Sequence, residues 1–172
     1  DIPNDLDSVS IPQLAHDTEA ILDHLNITKA IFCGHSMGVQ VVLEAFRQHA
    51  ERFAGLILLC GGFEYPLETW HASQKREARP TLLNRAMKTF FPSVYQQAFN
   101  YKGFIQPLWS ILLNTDIPYL TAILGAEVDK DRIKKEDFLP YFEHLSTMQA
   151  HVFFQMLKKY SEHSAIEALS QI

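Results

Sequence analysis

The stretch KAIFCGHSMGVQVVLEAF, residues 29–46, constrains this chain more than any other. An apolar run of strand length, Lys29 to Cys33, leads into a serine with Gly34 and Gly38 two positions away on either side. A helical pattern follows at once over Met37 to Ala50, with Val39, Val42, Leu43 and Phe46 at i, i+3, i+4 and i+7. Gly55 to Cys60, GLILLC, reads as a second buried strand. Strand, helix and strand within about thirty residues predict a right-handed βαβ unit of a parallel sheet, which must be covered on both faces. Two strands alone do not meet that requirement.

Composition narrows the class. With 172 residues, 47% of them hydrophobic and 20% charged, the chain has the make-up and length of one globular domain. No apolar run approaches the roughly 18 to 20 residues that cross a bilayer. A net charge of −5 and the lack of a long basic block exclude a nucleic-acid-coating surface. Cys33 and Cys60 each end a predicted strand, so they read as small core side chains and not as a disulfide or metal pair. They point to a reducing, cytoplasmic setting. The chain starts at Asp1 and trails off in SAIEALSQI, which suggests a piece of a longer protein; a removed signal peptide is the open alternative.

Ahead of the first strand, SIPQLAHDTEAILDHLNI predicts a helix with Ser10 as N-cap, Pro12 in the first turn, and Leu14, Thr18, Ile21, Leu22 and Leu25 on one face. Beyond Gly61 and Gly62 no strand pattern appears. Prolines 66, 80, 92, 107, 118 and 140 are expected to chop residues 64–160 into short helices, the last carrying Val152, Phe153, Met156, Leu157 and Tyr160 as one stripe.

GHSMG, Gly34 to Gly38, fits the G-x-S-x-G nucleophile elbow in the setting that motif needs, after a strand and before a helix. To lift its hydroxyl clear of the sheet, Ser36 must adopt a strained backbone, and the flanking glycines are expected to make room by lacking a Cβ. The helix N-terminus then points free N–H groups and partial positive charge at the place where an oxyanion develops, and the Met37 backbone N–H is the expected donor.

At these residues the chain resembles the α/β-hydrolase superfamily, and in particular its small esterase-like and peptidase-like members with a helical cap. LAHDTEAILDHLNITKAIFCGHSMG is similar to the helix, strand and elbow of that family, and QHAERFAGLILLCGG to the next helix end and strand. LPYFEHLSTMQAHVFFQMLKKYSEHSAIEALSQI is similar to its closing cap helices. Family members often have proline where this chain has Ala50, and a third glycine where it has Val39. The resemblance implies a partial α/β-hydrolase fold: residues 1–63 as part of the core, 64–160 as a helical cap, and 161–172 as a helix returning to the core. It implies a serine hydrolase acting on a small-molecule ester or related acyl substrate through an acyl-enzyme on Ser36, with water as second substrate and neither cofactor nor metal. Carbon–carbon, amide or thioester hydrolysis, acyl transfer, and a non-catalytic binding protein on the same scaffold are the alternatives. The family's chain order puts the catalytic aspartate and histidine beyond Ile172 and the second oxyanion donor before Asp1, so the 172 residues alone are expected to be inactive.

Phe63 and Trp70 are the candidate lining of an apolar substrate pocket. Asp116 or Asp129 with His144, His151 or His163 has the order of an internal acid and base, but none follows a strand, and they read as cap or surface groups. His35 is expected to pack or bond locally. Lys75, Arg76 and Arg79 read as a solvated helix face.

Overall fold

A computed structural model describes residues 9–65, 93, 96, 97, 100–124 and 131–172. Along the chain run α1 (Ile11–His24), β1 (Ala30–His35), α2 (Gly38–Gln48), a 3-10 turn (Ala50–Arg52), β2 (Phe53–Leu59), α3 (Lys102–Leu113), α4 (Ile117–Leu124), α5 (Lys135–Thr147), α6 (Ala150–Glu162) and α7 (Ile166–Leu169). The described residues belong to two compact units, one within Asp1–Ser93 and Gln155–Ile172, the other within Val94–Phe154.

In the first unit, α1 begins where Ser10 accepts the Gln13 N–H at 3.3 Å, with Pro12 in the opening turn. It stops at Asn26, whose N–H donates to the Asp23 carbonyl at 3.0 Å and whose φ of 55° turns the chain so that the Ile27 N–H reaches the Leu22 carbonyl at 2.8 Å. The buried face is Ile11, Ala15 and Leu22, while Ile21 and Leu25 are exposed. The face is therefore rotated from the expected stripe, because α1 packs through Ile11 against Val41 and Tyr160. Arg52 pins the turn after α1, donating to the Thr28 and Ile27 carbonyls and to Asp23 at 2.7 Å.

Strands β1 and β2 pair in parallel, from Ile31 opposite Gly55 to His35 opposite Leu59, with α2 as their crossover. Helix α2 is buried from Val39 through Ala45. The strands are not: Ile31 is 66% exposed and Ile57 46%. Cys33 and Cys60 are likewise exposed, against their expected place in a core. Among the described residues the sheet has two strands, and a strand-end side chain stays dry only where further strands or helices cover it. The segment after α6 closes onto α2, where Ala165 and Ala168 pack on Val39 and Leu43. It also meets the chain beyond β2, through a Glu64–Ser164 bridge and an Ala165 N–H to Phe63 carbonyl bond of 2.8 Å.

In the second unit, Gln106 and Trp109 join α3 to the last turn of α5 and the start of α6. Gln106 donates to the Met148 carbonyl and accepts the Ala150 N–H, and the Trp109 indole donates to the Leu145 carbonyl at 3.2 Å. Pro107 and Pro140 lie inside α3 and α5 instead of ending them. Each is exposed, as are Gly103 and Glu136 four residues before, so the carbonyl left without an N–H is at the solvent face. Among the described residues no helix is long and apolar enough to cross a membrane.

Candidate active site

The site is the turn that joins β1 to α2. Ser36 has φ of 53°, a left-handed conformation that a non-glycine residue rarely adopts. Its N–H donates to the Leu59 carbonyl at 2.9 Å, which ties the turn to the end of β2, and its carbonyl accepts the Val39 N–H at 3.0 Å, which opens α2. The residue is exposed.

The neighbouring glycines have unequal roles. A Cβ on buried Gly34 would strike the Gly38 carbonyl oxygen and lie 2.9 Å from the Val39 nitrogen. A Cβ on Gly38 would meet nothing within 4 Å, so the room expected from the pair is needed at Gly34 alone. The crowding comes from the Gly38 backbone, which no side chain at position 38 alters. A third glycine escaped the motif: a Cβ on Gly61 would strike the Ser36 carbonyl oxygen and lie 2.5 Å from the Val39 side chain. The Gly61-Gly62 doublet directly after the second strand was its only sequence signal.

Met37 is the N-cap of α2 and provides no side-chain cap. Among the described residues no group accepts its backbone N–H. The turn thus sets a hydroxyl beside the positive end of a helix with a donor to spare, an arrangement able to hold an anion next to a nucleophile.

Phe63 is 41% exposed, and its carbonyl is bound by Ala165. Trp70 lies outside the described residues, as do Asp129, Lys75, Arg76 and Arg79. An open crevice lined by Leu22, Asp23, Asn26, Ile27, Thr28 and Arg52 includes neither Ser36 nor Phe63. His35 and His144 are exposed, and Asp116 pairs with Lys135.

His163 is engaged at both ring nitrogens, with Nδ1 2.9 Å from Gln40 Oε1 and Nε2 3.5 Å from Glu44 Oε2. Glu44 is 2% exposed and accepts from Arg47 Nε, Arg47 Nη2 and Gln48 Nε2 at 2.9, 2.6 and 2.7 Å. Burial acts to raise its pKa, but the bonds from Arg47 and Gln48 and the charges of Arg47 and His163 outweigh this and hold it below the ordinary 4.5. Burial lowers the His163 pKa below its ordinary 6.5, Arg47 adds to the lowering, and Glu44 opposes it incompletely. No sequence pattern joined these residues, because the contact spans α2 and the end of the chain.

The family model described as alpha/beta hydrolase fold matches residues 1–110. Over 40 residues the chain is 48% identical to an uncharacterized hydrolase, YugF, of Bacillus subtilis (strain 168), a match covering 23% of this chain and 15% of that protein. The chain thus spans well under two thirds of the curated relative it matches.

Proposed function

Because this chain belongs to the alpha/beta hydrolase family, we propose that it carries the nucleophile of a serine hydrolase acting on an ester or related acyl bond of a small molecule. The observation that carries this reading is Ser36 at φ 53°, fastened to Leu59 at the junction of a strand and a helix. Such a backbone costs on the order of 1 to 3 kcal/mol and persists where its surroundings enforce it, most often at functional sites.

In this mechanism Ser36 Oγ adds to the carbonyl carbon and passes its proton to a base. The carbonyl electron pair moves onto oxygen, where the Met37 N–H donates to the new oxyanion. Collapse breaks the bond to the leaving group, which takes up the proton. Water then attacks the acyl-enzyme and restores the Ser36 hydroxyl. The base and its aspartate partner are assigned to the protein beyond Ile172, and the second oxyanion donor to the part before Asp1. His163 is not cast as the base, since both of its nitrogens are engaged. The proposal assigns residues 1–63 to the hydrolase core, 64–160 to the cap and 161–172 to the return, with Phe63 and Trp70 lining a pocket for an acyl or aryl group of modest size. The free thiols of Cys33 and Cys60 fit a cytoplasmic setting.

The test is a fluorophosphonate probe on the complete protein, which should label Ser36. Ser36→Ala should abolish labelling and lower ester turnover by about 10⁶ without loss of folding. Label or turnover surviving the substitution removes the covalent mechanism. Residues 1–172 by themselves should hydrolyse no p-nitrophenyl ester.

A further inference from the structure

We infer that His163 is a positioning residue for the nucleophile turn, fixing the first two turns of α2 and so the placement of Ser36 Oγ and the Met37 N–H. The inference rests on the proposed role of Ser36. It stands on a junction directly behind the turn, where the segments on either side of Glu64 and Ser164 meet α2. The backbone supplies one part, since Tyr65 donates its N–H to the His163 carbonyl at 3.4 Å and Ala165 to the Phe63 carbonyl at 2.8 Å. Apolar contact supplies another, as Ala165 and Ala168 press on Val39 and Leu43. Such contact is non-directional and does not set the helix's position along its axis.

The imidazole does. Gln40 and Glu44 are one turn apart on α2, both buried, and His163 addresses each with a different nitrogen. Gln40 is four residues from Ser36, and its N–H closes the first turn onto the Met37 carbonyl at 3.1 Å. With Gln40 Oε1 toward the ring, Gln40 Nε2 has no partner among the described residues. A half-turn of the amide presents Nε2–H to Nδ1, so that a neutral ring accepts from Gln40 and donates its Nε2–H to Glu44. This is the arrangement that the low pKa of His163 favours. Arg47 and Gln48 hold the far side of Glu44, so the ring is set against a fixed carboxylate. Moving His163 would leave the buried Gln40 amide unpaired and take one partner from Glu44, and such polar contacts resist displacement more than apolar packing does.

The experiment compares His163→Leu, His163→Gln and the pair Gln40→Leu with His163→Leu in the complete protein. Two readouts are taken well below melting: hydrogen exchange at the Val39 and Gln40 amides, and the second-order rate of fluorophosphonate labelling at Ser36. His163→Leu should speed exchange at both amides and slow labelling by about ten- to a hundredfold. His163→Gln, whose amide accepts from Gln40 and donates to Glu44, should stay near wild type in both. The paired variant should melt close to wild type, because both partners become apolar, yet label as slowly as His163→Leu. Should His163→Leu fail to fold, the paired and Gln variants carry the test. Unchanged exchange in the Leu variant, or wild-type labelling by the pair, overturns the inference. If wild type itself does not label while exchange responds as described, the hydrolase reading falls and the positioning of α2 by His163 stands.

Discussion

Helix α2 carries Gln40, Glu44, Arg47 and Gln48 and is less apolar in sequence than β2, FAGLILL, yet it is the more deeply buried. Val39 through Ala45 are all buried, Gln40 and Glu44 included, whereas Ile31, Ile57, Leu58 and Leu59 are exposed. A short helix is wrapped by whatever segments reach it, and α2 receives α1 on one side and the segment after α6 on another. A strand needs neighbours at its edges and layers on its faces, and among the described residues β1 and β2 pair with each other alone. Apolarity states that a segment is suited to burial; the rest of the chain decides whether burial is supplied.

The largest expected effect separates the two glycines of the turn. Gly34→Ala should cost about 3 kcal/mol or more, since its new Cβ meets backbone that has nowhere to go. Gly61→Ala should fall in the same class, against the Ser36 carbonyl. Gly38→Ala should be neutral or stabilising by up to about 1 kcal/mol, because its Cβ enters open space and alanine suits a helix better than glycine. Thermal melts decide the matter, and equal losses at positions 34 and 38 would show that the turn is built otherwise.

Next comes the contrast of helix with strand. Leu43→Ala, at a side chain with no exposure, should cost about 2 to 4 kcal/mol, and Ile57→Ala, half exposed, under about 1 kcal/mol. Urea midpoints measure both. Similar costs at the two positions would break the comparison.

What the sequence made legible was local. The strand–turn–helix about Ser36, and the Ser10 cap with Pro12, follow from residues within a few positions of one another, whose types fix the backbone directly. Contacts from far along the chain were not legible. A helical period admits adjacent stripes, and Ile11 faces inward in α1 because Val41 and Tyr160 lie there, while Ile21 and Leu25 do not. Gly61 matters through its approach to Ser36, and His163 through Gln40 and Glu44, none of which a spacing rule connects. The cysteines misled because a strand-end position does not carry its own cover.

The smallest expected effect is on pH dependence, and it bears on what holds the buried side of the comparison. The groups around His163 are Glu44 and Arg47 on α2, with Glu167 on α7 acting on Arg47. Since the folded pKa of His163 lies below 6.5, the unfolded chain takes up this proton first as pH falls. Stability should therefore be fully present above the ordinary value and decline below it, until folded His163 itself titrates. Glu44, also lowered, adds a decline in the same direction below its ordinary 4.5, where the unfolded carboxylate protonates first. One proton of difference changes stability by at most about 1.4 kcal/mol per pH unit, which places this effect beneath the Gly34, Gly61 and Leu43 substitutions above. The measurement is the urea midpoint between about pH 7.5 and about pH 5.5, for wild type and for His163→Gln. The wild-type midpoint should fall toward acid and the variant's should fall less. A midpoint that holds steady, or an equal fall in both proteins, would mean that His163 enters the fold already able to take a proton, and that the α2 junction does not depend on its neutral form.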